Sequence, residues 1–308
     1  MPRLSPAGYR RVTLFALLSL AVIIVTGAAV RLTGSGLGCP TWPSCDTGHL
    51  VPRAENGQRG WIEFVNRVFT GGVSLLVALA ALGSLVRVPR RRDLTWLSVG
   101  LVGGVIGQIL LGGLVVKFGL SPPYVIAHFV VSIVLVADAV VLHHRAGEPD
   151  GPAHLIVTPD VAAMSRLLIV AAGLVIATGT VVTGAGPHGG DETSARLDFV
   201  VRDVARIHGI AENLFLVGVL VTLWLLHRTK APRAVRRDAQ VLLAVLVAQA
   251  AVGYTQYATG VPELLVAVHI VGAVSVWVAV LRFHLRLWRR AERPPAPASV
   301  HAVLVNAG

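Results

Sequence analysis

Eight apolar segments, each close to the length that crosses a bilayer, most constrain what this chain of 308 residues can fold into. A helix needs about 20 mostly apolar residues to span the hydrocarbon core. The segments cover roughly 12–32, 61–86, 94–116, 123–143, 164–185, 203–227, 239–259 and 262–286. Only 14% of the residues are charged, against about a quarter in soluble domains. The sequence therefore predicts an all-α integral membrane protein, whose first segment is a retained helix because no small-residue cleavage site follows it.

Basic residues are concentrated in the segments that lie on one side of the predicted membrane. They cluster before the first apolar segment, between the second and third, beside the central linker, between the sixth and seventh, and after the eighth. The positive-inside rule therefore places both termini in the cytoplasm of a multi-pass protein of the cell membrane. Topology and contact with anionic membrane lipid explain the net charge of +11, and we expect no nucleic-acid partner.

Glutamine and histidine recur with one spacing in the two halves of the chain. Gln108 precedes His128 by twenty positions, and Gln249 precedes His269 by the same twenty. Both histidines lie in apolar runs, where an imidazole needs a partner because an unpaired buried polar group is costly. One such histidine is usually a satisfied core residue, but two in equivalent places indicate a duplicated site.

The repeat extends to the other apolar segments. TGAAV at 26–30 matches TGTVV at 178–182, and Asn66 and His208 fall in corresponding places. The sequence thus predicts two tandem four-helix bundles. Because four is an even number, both units have the same orientation and are related by a pseudo-two-fold axis along the membrane normal. The predicted parts are an N-terminal half at 1–144, a cytoplasmic linker at 145–163, a C-terminal half at 164–290 and a disordered tail at 291–308.

Three histidines and one asparagine occupy equivalent depths in the predicted membrane. Asn66, His128, His208 and His269 all fall near the start of an even-numbered segment, and therefore near the outer leaflet. His208 and His269 are placed to face each other across one bundle, and two facing imidazoles are a common way to hold haem iron. The alternative is that each histidine bonds a backbone carbonyl. Zinc is less favoured because no third ligand lies nearby.

The N-terminal half has a different set of polar residues. Asparagine is a poor iron ligand, so Asn66 and His128 suit a haem that is held by His128 alone with one position open. Glu63 lies one turn before Asn66 on the same helical face. It is either an i,i+4 ion-pair partner of Arg67 or a general acid/base beside a bound macrocycle, and the residues alone leave both roles open.

The two cysteines of the chain, Cys39 and Cys45, lie in a predicted outer loop. Disulfides persist on that side of the membrane, and a bridge of this span is sterically plausible. We favour a structural staple that covers the N-terminal site, with a redox-active pair as the alternative.

Five blocks of residues carry a resemblance to a known family. They are TGAAVRLTGSGLGC at 26–39 with Trp42, Pro43 and Cys45; WIEFVNR at 61–67; and the dipeptides Ala127-His128, Ile207-His208 and Val268-His269. On these residues the chain resembles haem A synthase over essentially its whole membrane region. Members of that family are oxidoreductases that convert a ring methyl group of haem O to a formyl group and supply haem A to terminal oxidases.

The resemblance implies a role for each candidate residue. His208 and His269 would be the axial ligands of a haem b cofactor, and His128 would belong to the substrate-haem site with Glu63 as its essential carboxylate. The cysteine pair matches an outer-loop pair of some family members. Many relatives carry histidine where this chain has Asn66, so a second histidine ligand at the substrate site is not carried over.

Partners and alternatives complete the predictions. The resemblance implies that haem O arrives from a haem O synthase, that haem A leaves for terminal oxidase assembly, and that a separate electron donor takes part. A di-haem cytochrome b that only carries electrons is the alternative function, and it requires two permanently bound identical haems. A small-solute transporter is less favoured, since it would have interrupted helices at the membrane midplane.

Overall fold

The structure, a computed structural model, describes residues 3–291, which fold into eight long helices. The helices are α1 (Pro6–Leu32), α2 (Gly57–Val86), α3 (Arg92–Lys117), α4 (Pro122–Ala146), α5 (Pro159–Ala185), α6 (Val201–Arg228), α7 (Arg233–Ala258) and α8 (Glu263–Arg286). All eight are long and apolar enough to cross a membrane. The prediction of an all-α, multi-pass membrane protein is therefore confirmed.

The largest differences from the predicted segments are at the starts of α1 and α7, which both begin six residues earlier than predicted. Helix α1 begins at Pro6, about one and a half turns before the apolar run. Ser5 caps it, since its hydroxyl accepts from the N–H of Gly8 at 3.1 Å, and Pro6 fills the first position, where no N–H is needed. The cap allows polar residues to continue the helix beyond the apolar segment.

Each group of four helices closes on itself. In the first half α1 packs against α2 and α4, and α3 packs against α2 and α4. In the second half α5 packs against α6 and α8, and α7 packs against α6 and α8. The two groups meet where α8 contacts α1 and α4 and where α4 contacts α5. These contacts agree with two four-helix units, while the symmetry axis along the membrane normal stays a prediction.

We name the two ends of the helices by what they carry. The disulfide end comprises 33–56, 118–121, 186–200 and 259–262, and the linker end comprises 3–5, 87–91, 147–158, 229–232 and 287–291. A short 3₁₀ helix, Ala54–Asn56, precedes α2 at the disulfide end. The assignment of these ends to the two sides of a membrane stays a prediction.

A two-stranded antiparallel sheet forms at the linker end. Strand β1 (Ala153–Leu155) pairs with β2 (Trp288–Arg290), and His154 lies opposite Arg289. The predicted linker at 145–163 is thus shorter in the structure, because α4 continues to Ala146 and α5 begins at Pro159. Of the predicted disordered tail, 292–308 lies outside the described residues.

Arg91 fastens the linker to the first bundle. Its guanidinium donates to the carbonyl oxygens of Arg145 at 3.0 Å and Glu148 at 2.9 Å, and it pairs with Asp150 at 3.3 Å. Burial by itself would lower the pKa of Arg91, but the hydrogen bond and charge of Asp93, with the charge of Asp150, raise it above its ordinary value. Arg91 therefore stays charged while almost fully buried.

One contact is repeated in both halves at the linker end. Thr13 Oγ1 of α1 lies 3.1 Å from Nδ1 of His143 in α4. Ser165 Oγ of α5 lies 2.8 Å from Nδ1 of His284 in α8. These are the first and last helices of each half, so the same hydroxyl–imidazole pair closes both groups.

Candidate functional site

The structure brings the rings of His208 and His269 close together, with the edge of one ring toward the other. His208 is the eighth residue of α6 and His269 the seventh of α8. Their ring centres are 6.5 Å apart, and the ring planes are inclined by 71°. Both side chains are half-buried near the disulfide end.

Thr178 of α5 orients the ring of His208. Thr178 Oγ1 lies 2.9 Å from the carbonyl oxygen of Val175, to which its hydroxyl donates. The same oxygen lies 3.1 Å from Nδ1 of His208 and is left free to accept the proton of that nitrogen. The neutral ring then has an unprotonated Nε2, which is the form that binds a metal.

Gln249 of α7 holds His269 through two atoms. Its amide Nε2 donates to the carbonyl oxygen of His269 at 2.9 Å and lies 3.0 Å from Nδ1 of the same residue. In this arrangement Nδ1 accepts, so the proton of the neutral ring is on Nε2. The other amide atom, Oε1, is buried without a hydrogen-bond partner among the described residues. A half-turn of the amide would let Oε1 accept from Nδ1–H and would free Nε2 of His269, but it would also break the hydrogen bond from Gln249 Nε2 to the carbonyl oxygen of His269.

Glycine supports each of the two rings. A methyl group on Gly179 of α5 would come within 3.1 Å of Cε1 of His208, and one on Gly253 of α7 within 2.9 Å of Cε1 of His269. Contacts this short do not occur without displacement of the ring. Gly179 and Gly253 therefore leave the space that the two imidazoles occupy.

The two imidazoles fit a single ion that takes its other ligands from a non-protein group. An imidazole nitrogen bonds a metal at about 2 Å, and two such bonds on opposite sides of one ion agree with the separation of the ring centres. Within 3–291 no group of three or more His, Cys, Asp or Glu side chains is placed to hold a metal ion. A zinc site made by the protein alone is therefore not formed by these residues.

The N-terminal half repeats the glutamine contact. Gln108 Nε2 of α3 donates to the carbonyl oxygen of His128 at 2.9 Å, as Gln249 does to His269. Here the amide also donates to the hydroxyl of Ser132 at 2.5 Å. A methyl group on Gly112 would lie 3.5 Å from Cε1 of His128. The predicted duplication is thus visible as a repeated hydrogen bond.

The partner position in the N-terminal half is open. Asn66 occupies the place that corresponds to His208, and its Oδ1 is buried with no hydrogen-bond partner in the described part of the chain. Gly27 corresponds to Gly179, and a methyl group there would have no described atom within 4 Å. The second half fills this space with an imidazole, whereas the first half leaves it free.

Glu63 is buried in a network of hydrogen bonds. Only 5% of its surface is exposed. One carboxylate oxygen accepts from the backbone N–H of Cys39 at 2.8 Å. The other accepts from Nε of Arg67 at 3.1 Å and also from its Nη2. The ion pair with Arg67 is present, and a role in acid/base chemistry stays a prediction.

Arg67 also holds the disulfide loop. Its guanidinium donates to the carbonyl oxygens of Cys39 at 3.1 Å, Thr41 at 2.9 Å and Ser44 at 3.1 Å. Cys39 and Cys45 are linked by a disulfide. The disulfide and the hydrogen bonds from Arg67 together fix the loop between the two cysteines. Because the backbone N–H of Cys39 bonds Glu63, the loop also fixes the position of that carboxylate.

Trp42 extends the loop toward the histidine of the same half. A methyl group on Gly113 of α3 would come within 2.9 Å of the Trp42 indole, and the neighbouring Gly112 lies beside His128. The disulfide loop thus spans from Glu63 on α2 to the part of α3 that supports His128. That this loop covers the N-terminal site stays a prediction.

Sequence reasoning missed two kinds of residue at these sites. The hydroxyl of Thr178 was part of the repeated TG motif, so the repeat contained a signal for it. The backbone N–H of Cys39 and the carbonyl groups around Arg67 carried no such signal, because their position depends on the folded loop.

The fold and the sites define a class of polytopic α-helical membrane protein. Its two related halves carry facing histidines in one half, and one histidine with a buried carboxylate in the other.

The chain belongs to the cytochrome oxidase assembly protein family, whose model matches residues 10–188, more than half of its length. This range contains Glu63, Asn66 and His128 and ends before His208.

Relatives that carry the name heme A synthase confirm the resemblance. The protein of Shouchella clausii (strain KSM-K16) is 35% identical over 146 residues, which are 47% of this chain and 48% of that protein. That of Listeria welshimeri is 28% identical over 257 residues, 80% of this chain and 84% of that protein. That of Listeria monocytogenes serotype 4a (strain HCC23) is 33% identical over 127 residues, 41% of each. The first and third alignments thus span about half or less of the relatives' length.

Proposed function

We propose that the protein is an oxidoreductase that converts haem O to haem A, with a resident haem b in its C-terminal half. One observation carries the proposal: His208 and His269 face each other at 6.5 Å in one half, while the corresponding Asn66 and His128 leave an open position in the other. A permanent cofactor suits the first arrangement and an exchanging substrate the second. The name of the relatives, heme A synthase, supports haem A as the product.

The C-terminal half would hold haem b through His208 and His269. Bound there, haem b supplies one-electron transfer. Thr178 keeps the proton of His208 on Nδ1 and so presents Nε2. His269 would present Nε2 if Gln249 turned its amide, an exchange that satisfies the buried Oε1 and gives up the hydrogen bond to the His269 carbonyl oxygen. The residues present therefore fit a bis-histidine haem.

The N-terminal half would bind the substrate haem. His128 would bind the iron of haem O, and the space beside Asn66 and Gly27 leaves its other face without a protein ligand. Glu63 would stabilise positive charge at the reacting methyl carbon or accept its protons. The disulfide loop would exclude water from this end of the bundle, since Trp42 and Arg67 hold it against α3 and α2.

The proposed orientation follows the charges. The linker end, where basic residues cluster, would face the cytoplasm with both termini, and the disulfide end would lie outside. Both haem sites would then be near the outer leaflet. A haem O synthase would deliver the apolar substrate through the membrane, and oxidase assembly would receive the product.

The rival functions fit the contacts less well. An electron-carrying cytochrome needs two equivalent sites, but Asn66 breaks the equivalence. A transporter of the repeat type has broken helices at its midplane, whereas α1 to α8 are each continuous in the described structure.

Haem extraction from the purified protein tests the proposal. We expect haem b together with haem O or haem A in the wild type. His208→Ala should remove the haem b spectrum and lower the melting temperature, because the cofactor stabilises only the folded state. His143→Ala, which removes an imidazole at the linker end, should keep haem b and serves as the control. Haem b alone in the wild type, in two equivalents, would instead establish the cytochrome.

A further inference from the structure

Asp138 is a carboxyl group inside a membrane-spanning helix, and the proposed function does not use it. It is the seventeenth residue of α4, well within the apolar part of that helix. Its Oδ1 is buried and has no hydrogen-bond partner within 3–291. Ionisable groups in such places are costly, and in membrane proteins they commonly mark routes for ions or protons.

Two more buried atoms without partners lie where α4 packs against α3. They are Oε1 of Gln108 on α3 and Nδ1 of His128 on α4, again with respect to the described residues. Three unpaired polar atoms in one interface between helices are unusual, because native interiors pair nearly all such groups with protein or with water. Water is the partner that this interface calls for.

The residues that carry the three atoms lie along the contact between α3 and α4. Asp138 faces Gly100 of α3, where a methyl group would lie 3.1 Å from Oδ2. Eight residues further along α3, Gln108 contacts Ser132 of α4. Between these points the side chain of Leu135 packs against Gly104. The interface therefore has a polar group on each side of one leucine.

The distance between the polar groups is short enough for water to bridge. Ser132 and Asp138 are separated by about 9 Å along the helix axis, from a rise of about 1.5 Å per residue. Six residues also turn the helix by about 240°, since one turn takes 3.6 residues, so the two side chains are offset around α4 as well as along it. A chain of at least two water molecules with hydrogen bonds near 2.8 Å would join them.

The second half offers a natural comparison, because adding 141 to a residue number relates α3–α4 to α7–α8. Gln108 and His128 have the counterparts Gln249 and His269. The counterpart of Asp138 is Ala279, and valines replace the two glycines, as Val241 and Val245. The polar groups near the linker end thus belong to the first half alone, where the proposed substrate site lies.

We propose that Asp138 is a proton-carrying site, which buried water between α3 and α4 connects to Ser132 and Gln108. A proton that leaves the carboxyl passes to this water, and one from the linker end replaces it. There Asp93 and Arg145 lie 3.9 Å apart at the end of the same two helices. No covalent or redox step is involved. The inference rests on the unpaired atoms and not on the identity of the substrate.

Infrared spectroscopy of the full protein in lipid nanodiscs tests the carboxyl group. We expect the C=O stretching band of a protonated carboxylic acid that disappears in Asp138→Asn, returns at a shifted position in Asp138→Glu, and shifts in D₂O within minutes. Glu212→Gln, which changes another carboxyl group inside a membrane helix, should leave the band in place. If no band depends on Asp138, or if that band does not respond to D₂O, the proposal is wrong.

Radiolytic labelling with ¹⁸O-water tests the water itself. Radicals formed from buried water oxidise adjacent side chains, so Leu135 should be labelled several-fold faster than its counterpart Val276, although both are buried. Asp138→Leu should lower the labelling of Leu135 to the level of Val276, while Asp138→Asn, which still binds water, should preserve it. Equal labelling of Leu135 and Val276 in the wild type would show that the interface is dry and would overturn the proposal.

Discussion

At the scale of single residues, hydrogen-bond partners decide what each candidate group can do. Thr178 and Gln249 both contact a histidine Nδ1. The hydroxyl of Thr178 accepts a hydrogen bond there, whereas the amide of Gln249 donates one. Glu63 has both oxygens occupied, by an arginine and by a backbone N–H. The proposed functions of these residues therefore depend on neighbours whose effect is measurable.

Glu63→Gln separates an enzyme from an electron carrier. The variant keeps the size of the side chain and should fold, because Arg67 still donates to three loop carbonyls. We expect haem b to be retained and haem O or a partly oxidised haem to accumulate, with a loss of rate of about a hundredfold or more. Glu192→Gln, in an exposed pair with Arg59, is the matched control. A folded Glu63→Gln protein that makes haem A at the normal rate would contradict the catalytic role.

Thr178→Val removes the hydrogen bond to His208 with little change of shape. We expect haem b to remain bound and its reduction potential to shift by about 40 mV, which corresponds to about 1 kcal/mol for one hydrogen bond. Redox titration of the haem b spectrum measures it, and Thr178→Ser should restore the wild-type value. Thr26→Val, at the corresponding place in the half without a facing histidine, should have no effect on haem b. An unchanged potential in Thr178→Val would remove Thr178 from the site.

At the scale of elements, loops and the linker carry the interactions that the helices do not. The disulfide loop joins α2 to α3. The linker contains β1, which pairs with β2, and Arg91 holds the linker to the start of α3. Both depend on an arginine that donates to several carbonyl groups. We therefore predict a specific effect when the disulfide of the loop or the arginine that holds the linker is replaced.

Cys39→Ser with Cys45→Ser should loosen the disulfide loop. In the chain-entropy model, a bridge that closes a loop of this length contributes about 2 kcal/mol. We expect a lower melting temperature with helices intact, and circular dichroism measures both. Mass spectrometry without prior reduction should find no free thiol in the wild type. Two free thiols there would show that the bridge does not form in the membrane.

Arg91→Gln should release the linker. The substitution removes the ion pairs of Arg91 with Asp93 and Asp150 and leaves two carbonyl groups without their donor, while Arg87 still lies 3.9 Å from Asp150. Loss of one member of a buried ion pair costs roughly 3 kcal/mol. Limited proteolysis should cut the segment between α4 and α5 faster than in the wild type. The adjacent Arg92→Gln changes an exposed arginine and should not alter the cleavage rate. Equal rates in both variants would mean that Arg91 does not hold the linker.

At the scale of the whole molecule, much of the fold follows from the sequence. Apolar length predicts each helix, because a bilayer leaves the backbone no other way to satisfy its hydrogen bonds. The spacing of Gln108 and Gln249 from their histidines predicts a duplicated contact, and the structure contains it. The β1–β2 pair and the carbonyl contacts of Arg67 were not predictable, since they join residues far apart through irregular backbone. The cap of α1 is a local signal, Ser5 followed by Pro6, which a search for apolar length overlooks. Asp138 was overlooked because one carboxylate hardly lowers the hydropathy of a long apolar segment.

Labelling of introduced cysteines tests the orientation of the molecule. Glu192→Cys, an exposed position at the disulfide end, should react with a membrane-impermeant maleimide in intact cells. His154→Cys, on β1 at the linker end, should react only after the cells are opened. The positive-inside rule gives this result because the basic clusters stay in the cytoplasm. The opposite pattern would invert the topology.

The space beside Asn66 and Gly27 would have a kinetic consequence for the proposed release of haem A. A macrocycle gripped by imidazoles from both faces dissociates slowly, since two bonds must break before it leaves. One gripped by His128 alone has a shorter residence time, as most differences in affinity between related sites appear in the rate of departure. Asparagine at position 66 would then speed the release of the product, and a histidine introduced there would slow that release without abolishing turnover.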